Sequence, residues 1–220
     1  KLVSRIKPFM LRRLKTEVAK ELPEKTTIEV NIDMNEQQSK LYEAVRATMQ
    51  KNIRELIAVK GFNRSQIQIL SALLKLRQVC CHPSLLDLDH IKNQNVESAK
   101  LDHLLEMVQD MVEEGRKILI FSQFTSMLQI IEDQLNTLKI KNVKLTGKTK
   151  KRDEVITAFQ VGDIPIFLIS LKAGGVGLNL TAADTVIHFD PWWNPAAEDQ
   201  ASDRAWRIGQ DKPVFVYKLI

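Results

Sequence analysis

From Glu97 onward the sequence alternates strand-length apolar runs with longer stretches whose apolar residues recur every three or four positions. That alternation constrains the fold more than any other feature of the chain. Leu101, Leu104, Leu105, Val108, Met111 and Val112 predict a helix ending at Gly115, and Lys117 to Phe121 reads as a buried strand. Helical spacing then covers Ser126 to Leu138 and Lys151 to Phe159, with strands at Val143 to Leu145, Ile164 to Ile169, Thr185 to Phe189 and Val214 to Leu219. Strands separated by helices cannot pair as hairpins, so the pattern predicts an α/β fold with a parallel sheet flanked by helices. A sixth strand, Thr26 to Ile32, precedes this block and sets Ile28, Val30 and Ile32 on one side. Between it and the rest, an apolar stripe through Leu41, Val45, Thr48, Met49, Ile53, Leu56 and Ile57 predicts a long helix from Asn35. Gly61 interrupts it, and Ile69, Leu70, Leu73, Leu76 and Arg77 predict a second helix over Ser65 to Cys80. The expected organisation is a basic helix and linker over 1–25, a first strand in 26–33, a helical protrusion and polar loop over 34–96, and the αβ lobe over 97–220.

Composition narrows the class. At 220 residues and 44% hydrophobic content the chain can build an ordinary core. No uninterrupted apolar stretch reaches the roughly 18 residues a membrane span needs, so no membrane partner is expected. Cys80 and Cys81 are vicinal, with no second Cys/His pair at zinc-ligand spacing, so neither a disulfide framework nor a metal site is expected. A packed or capping role suits His82. The formal charge of +5 is segregated: residues 1–20 carry seven basic residues against Glu17 alone, and residues 139–152 carry seven against none. Such clusters are the footprint of a phosphate-backbone partner, with a solvated basic face as the alternative.

The segment Ile166 to Gln210 concentrates the chemistry. An apolar run stops at Ser170 and empties into Lys172-Ala173-Gly174-Gly175-Val176-Gly177, where glycine lets backbone N–H groups approach an anion. A second strand ends at Asp190, before Pro191, Trp192 and Trp193. A predicted helix over Ala196 to Ile208 then puts Gln200, Arg204 and Arg207 on one face. Two guanidiniums so placed can neutralise charge developing on a transferring phosphoryl group; an exposed helix with ordinary salt bridges to Glu198 or Asp203 is the alternative. Gly175-Val-Gly177-Leu-Asn-Leu180 lacks the third glycine of a dinucleotide fingerprint.

QASDRAWRIGQ, Gln200 to Gln210, resembles motif VI of the SWI/SNF-type helicase-like ATPases of helicase superfamily two, and LISLKAGGVGLNLTAADTVIHFDPWWNP resembles their motifs V and Va. IKPFMLRRLKTEVAKELPEKTTIEV is similar to the family's crossing between lobes, LRQVCCHPSLL to its LRQ-x-C-x-HP block, ILIFSQFTSML to motif IV, and KLTGKTKKRDEVITAF to its L-D-G-S-T block. The resemblance covers nearly the whole chain. It implies the second RecA-like lobe of a DNA-stimulated ATPase that translocates on double-stranded DNA and remodels or displaces bound protein. The arginine fingers would be Arg204 and Arg207, with Gln200, Gly175 and Gly177 near the nucleotide. Ser122, Gln123, Gly147, Lys148, Thr149, Lys150, Ser170, Lys172, Ala173, Gly174, Asn179, Trp193 and Asn194 would serve DNA. Three departures stand out: Thr146 replaces the block's Asp, Lys148 its Ser, and Cys81 the usual Asn before His82, which points toward microbial branches. A plain helix cap at Thr125 competes with phosphate contact near Ser122, and core burial competes with a coupling role for Trp193. No G-x-x-x-x-G-K-[ST] and no D-E-x-H box occurs, so ATP and Mg2+ would be held mainly by an N-terminal lobe of the same polypeptide, and this stretch, a fragment ending at a domain boundary, would be inactive alone. Expected localisation is cytoplasmic and nucleoid-associated in a prokaryote or nuclear in a eukaryote. A non-catalytic DNA-binding or interaction module that keeps the lobe fold is the rival reading.

Overall fold

The computed structural model describes residues 9, 19, 21–86, 97–174 and 177–220. The expected N-terminal basic helix, the polar loop at 87–96 and Gly175 lie outside the described residues. Among those described, six strands form one parallel sheet: β1 (Lys25–Val30), β2 (Ile118–Ser122), β3 (Asn142–Leu145), β4 (Ile166–Ser170), β5 (Thr185–His188) and β6 (Val214–Leu219), in the order β1-β6-β5-β2-β4-β3. Every pairing is parallel, including β1 against β6, where Lys25 faces Val214 and Val30 faces Leu219. The sheet is parallel throughout, as the alternation predicts, and agrees with the RecA-like lobe that the resemblance implies.

All residues of β2, β4 and β5 are buried, because helices cover both faces of the sheet. The alternation of side chains divides β2 between two cores. Ile118 and Ile120 pack with Leu104, Val108, Leu128 and Ile131 of α3 (Ala99–Glu113) and α4 (Thr125–Thr137). Leu119 and Phe121 pack on the other face with Phe159 of α5 (Arg152–Val161), Phe167, Val186, Val216 and Ala201.

The inserted helices are α1 (Glu36–Lys60) and α2 (Phe62–Cys81), separated by Gly61 at φ 77°, a left-handed conformation that favours glycine. Asn35 caps α1 by accepting from the Gln38 N–H at 2.8 Å. The seam of this helical pair differs from the stripe expected on α2. Ser65, Ala72 and Val79 are buried, whereas Leu70 and Leu73 are exposed, because two helices standing largely on each other have one inward face and small side chains let them approach. Gln38 fastens the base of the pair: its amide donates to the Val79 carbonyl at 2.7 Å and its carbonyl oxygen accepts from the Ala99 N–H. The Ser98 hydroxyl donates to the Cys81 carbonyl at 2.7 Å. His82 caps the short 3-10 turn Pro83–Leu85 through Nδ1, and burial pushes the Cys81 thiol well above its usual range, so neither residue is poised for reaction.

Candidate nucleotide and nucleic-acid sites

The carboxyl ends of β2, β4 and β5 adjoin at the middle of the sheet, where open parallel sheets keep their ligands. They carry Ser122 and Gln123, Ser170 to Lys172, and Asp190 to Trp193. A cleft of about 530 Å3 opens there, lined by Gln123, Gly147, Lys148, Ser170 and Lys172 among the residues expected from sequence. Thr125, Ser126, Gln129, Lys144 and Thr146 line it too, and the sequence reading did not single them out for that role. Their signal was available in part. Thr125 and Ser126 open α4, whose N-cap Phe124 supplies no side-chain cap, so the first-turn N–H groups remain free to meet an anion.

Several expected contacts are corrected here. The Ser122 hydroxyl is fully buried and turns inward, accepting from the Phe124 N–H at 3.0 Å, so it shapes the loop and cannot reach a phosphate. Thr125 is thus the first helical residue rather than the cap. The glycine-rich segment begins with one helical turn, α6 (Leu171–Gly174), not a loop. Ser170 is buried and its hydroxyl accepts from the Ala173 N–H, while Arg152 donates to the Ala173 carbonyl at 2.9 Å; both backbone groups of Ala173 are engaged internally. The basic run 139–152 is partly neutralised. Lys141 pairs with Asp163, Lys144 with Glu132 and Lys151 with Glu154, leaving Lys139, Lys148 and Lys150 of the run, with Lys172, as exposed cations without an ion pair among the described residues; of these Lys148 and Lys172 line the cleft.

Thr149 holds the turn behind Gly147, its hydroxyl accepting from the Thr146 N–H at 3.0 Å. Asn179 and Gly177 are exposed, the latter at φ 34°. Asn194 caps α7 (Pro195–Ser202) by accepting from the Ala196 N–H, and Trp193 is 64% exposed, so core burial does not account for it. Trp192 and Trp193 meet edge to face, with ring centroids 5.3 Å apart.

The arginines occupy a second cleft, of about 330 Å3, lined by Gln200, Asp203, Arg204, Arg207, Ile208 and the linker residues Ala19 and Leu22. They do not sit on a helix face as expected, since α7 ends at Ser202 and residues 203–209 form consecutive turns. Tertiary hydrogen bonds win over local helical ones. The Arg204 carbonyl accepts from the Leu180 N–H at 3.0 Å, and Gly209, at φ 98°, reverses the chain. The buried Gln210 amide then donates to the carbonyls of Thr181, Ala183 and Ala205, and its oxygen accepts from the N–H groups of Asp211 and Lys212. Sequence reasoning passed over Gln210. Even so, Gln200, Arg204 and Arg207 converge on the one cleft. Arg207 and Gln200 are exposed, while Arg204 is 7% exposed and its Nε has no hydrogen-bond partner among the described residues. Burial, then the neighbouring Arg207, lowers the Arg204 pKa, although a guanidinium stays charged at neutral pH.

Beneath the turns lies a buried polar seam. His188 bonds Ser202 at 2.9 Å through Nε2, and burial holds the ring at about 4, so it is neutral. Glu198 pairs with Lys218 at 2.8 Å and accepts from the Trp192 N–H. Asp190, pushed up to about 6 by burial despite its hydrogen bonds, accepts from the Gln123 N–H at 3.1 Å.

The donor set of the arginine cleft, two guanidiniums and a carboxamide with one guanidinium nitrogen unspent, fits a polyphosphate. Among the described residues no group of three or more His, Cys, Asp or Glu is arranged to hold a metal. A parallel RecA-like sheet with a polar cleft at its strand ends and an arginine cleft beside the linker defines a lobe of the helicase type. Residues 99–209 match the helicase conserved C-terminal domain family and residues 1–85 match the SNF2-related domain. An uncharacterized ATP-dependent helicase of Mycoplasma genitalium is 40% identical over 223 residues, covering 100% of this chain and 21% of that protein. The SWI/SNF-related matrix-associated actin-dependent regulator of chromatin subfamily A member 1 of Mus musculus is 38% identical, covering 100% of the chain and 22% of that protein. The Sulfolobus solfataricus SWI2/SNF2 ATPase core in complex with dsDNA aligns with a TM-score of 0.75 at 37% identity, covering 100% of this chain and 46% of that one. The chain belongs to the helicase conserved C-terminal domain family and is the C-terminal RecA-like lobe of a SWI/SNF-type helicase-like ATPase. It spans about a fifth of the length of these relatives.

Proposed function

We propose that this lobe is one half of a DNA-stimulated ATP hydrolase that translocates on double-stranded DNA and remodels or displaces protein bound to it. ATP is the substrate, taken between this lobe and an N-terminal lobe of the same polypeptide that supplies the rest of the phosphate and magnesium ligands. Arg207, exposed at the cleft mouth, neutralises negative charge developing on the γ-phosphoryl oxygens, and Arg204 supports it from a fixed, largely desolvated position. Gln200 orients the phosphate end of the substrate. The DNA backbone runs over the strand-end cleft, held by Lys148, Lys150 and Lys172 with the Gly147 N–H and those at the start of α4, and Trp193 couples that track to the arginine turn. Closure and reopening of the two lobes advance the duplex. The similar Sulfolobus core bound to dsDNA supports the choice of partner.

One observation carries the reading: Arg204 is buried at a cleft it shares with Gln200 and Arg207, and its Nε lacks a partner among the described residues. An unspent guanidinium nitrogen is costly in a merely structural arginine and useful in one that meets a charged group only when the lobes close. The test is ATP hydrolysis by the full-length protein with and without duplex DNA. Stimulation by DNA, lost in Arg207→Ala, is expected. A full-length protein that binds DNA without hydrolysing ATP would leave a non-catalytic module.

A further inference from the structure

Arg77 stands on α2, one turn before the helix ends, and reaches out of the helical insertion into the loops at the strand ends. Its Nη2 donates to the Pro191 carbonyl at 2.7 Å, its Nη1 to Gln123 Oε1 at 3.4 Å, and its guanidinium lies 5.1 Å from the centroid of the Trp192 ring. These partners are 46 and 114 positions away in sequence. Among the described residues, the other hydrogen bonds joining the insertion to the lobe are those of Ser98 with Cys81 and Ala99 with Gln38, both at the foot of α3. Further along α2, Ile67, Leu70, Leu73 and Leu74 face Trp192 and Trp193 across an open groove of about 370 Å3, so apolar packing does not close this junction. The guanidinium is therefore the polar tie at the strand-end side of the insertion, where the two bodies meet loosely, opposite the packed foot at Cys81, Gln38 and Ser98.

We infer that Arg77 is a positioning residue, which holds Gln123 and the Pro191-to-Trp193 segment in one arrangement and makes the helical insertion move with them. A guanidinium can only donate, so it fixes which end of the Gln123 carboxamide faces it. Its planar fork serves two acceptors while stacking on an indole, which an ammonium cannot do. Gln123 and Lys172 line both the strand-end cleft and an adjoining cleft walled by Leu74, Phe124 and Trp192. A shift in the insertion is thus delivered to the surface assigned to DNA. The consequence for DNA stimulation rests on the proposed function; the positional role does not.

The experiment uses the full-length protein with Arg77→Met, which keeps the aliphatic stem, and Arg77→Lys. Amide hydrogen exchange is followed over 122–126 and 190–194, beside ATP hydrolysis with and without duplex DNA. In the methionine variant, exchange in both segments rises about tenfold, as loss of a charge-assisted hydrogen bond implies, while β4 stays protected. Basal hydrolysis stays within about twofold of wild type and DNA stimulation falls at least about fivefold. Lysine restores protection over 190–194, where one donor suffices, and not over 122–126. Unchanged exchange in both segments overturns the inference. If the methionine variant does not fold, the lysine variant's split between the two segments decides alone. A wild-type protein without DNA stimulation removes the proposed function and leaves the exchange comparison to judge Arg77.

Discussion

Arg204 and Arg207 share one cleft and differ in burial. Arg207 is exposed and in the proposed role meets charge that develops in the transition state, so Arg207→Ala in the full-length protein is expected to lower kcat by roughly 10³-fold with little change in ATP affinity, measured by steady-state hydrolysis and nucleotide titration. Arg204→Ala is expected to be similar or milder in kcat by the same measurement. Among the basic residues only unpaired ones can exchange counterions freely. Lys148→Ala and Lys150→Ala should each reduce the slope of log K against log salt for duplex DNA by one unit or less, whereas Lys141→Ala, held by Asp163, should change it least. Equal slopes for all three would detach the strand-end cleft from DNA. Two buried groups pull stability in opposite directions with pH. His188 titrates at about 4 in the folded chain and near 6.5 unfolded, so the unfolded state binds more protons between these values and the contribution of His188 is lost as pH falls. Asp190 titrates at about 6 when folded and near 4 when unfolded, so the folded state binds more protons and its contribution is lost as pH rises. Each effect is at most roughly 3 kcal/mol across its window. Urea unfolding between pH 4 and 7 should therefore show stability rising more steeply with pH in Asp190→Asn and less steeply in His188→Gln than in wild type.

At the scale of elements, the arginine turn matters most, because its shape comes from neighbours. Gln210 shares its two amide hydrogens among three carbonyls and accepts from two N–H groups, from segments on both sides of it. Gln210→Ala leaves several of these buried groups unpaired, which is expected to cost about 2–4 kcal/mol in unfolding free energy and to misplace Arg204 and Arg207 together. A loss below about 0.5 kcal/mol in denaturant titrations would mean that the Leu180 to Arg204 hydrogen bond and Gly209 suffice to hold the turn. The inserted helices show a related balance: α1 and α2 are long, yet their buried positions are few, so they rely on Gln38 and Ser98 at the base and on Arg77 at the strand ends.

For the whole molecule, the 220-residue chain alone is expected to show no ATP hydrolysis above background and only weak nucleotide binding, since in the proposed function its arginines complete a site that a second lobe builds; robust turnover by the isolated chain would overturn that. The parallel sheet was legible in the sequence because a buried central strand must be apolar on both faces and each crossover helix must carry one apolar stripe, and β2, α3, α4 and β6 follow that rule within a residue or two. Gly61 and Asn35 were equally legible, as local breaker and cap signals whose physics lies within a few residues. The site residues were legible as types in loops after strands, though not as functions of individual atoms. Ser122 and Ser170 were spent on their own turns, Lys144 on Glu132, and the predicted helix through Arg207 was cut at Ser202, because hydrogen bonds from Leu180 and Gln210 come from chain segments that local spacing does not report. Sequence alone determined the strands, most of the helices and the residue types available at their ends. Tertiary structure decided which of those polar groups remained free, since a donor or acceptor in a closely packed interior is claimed by whichever partner the fold brings within about 3 Å.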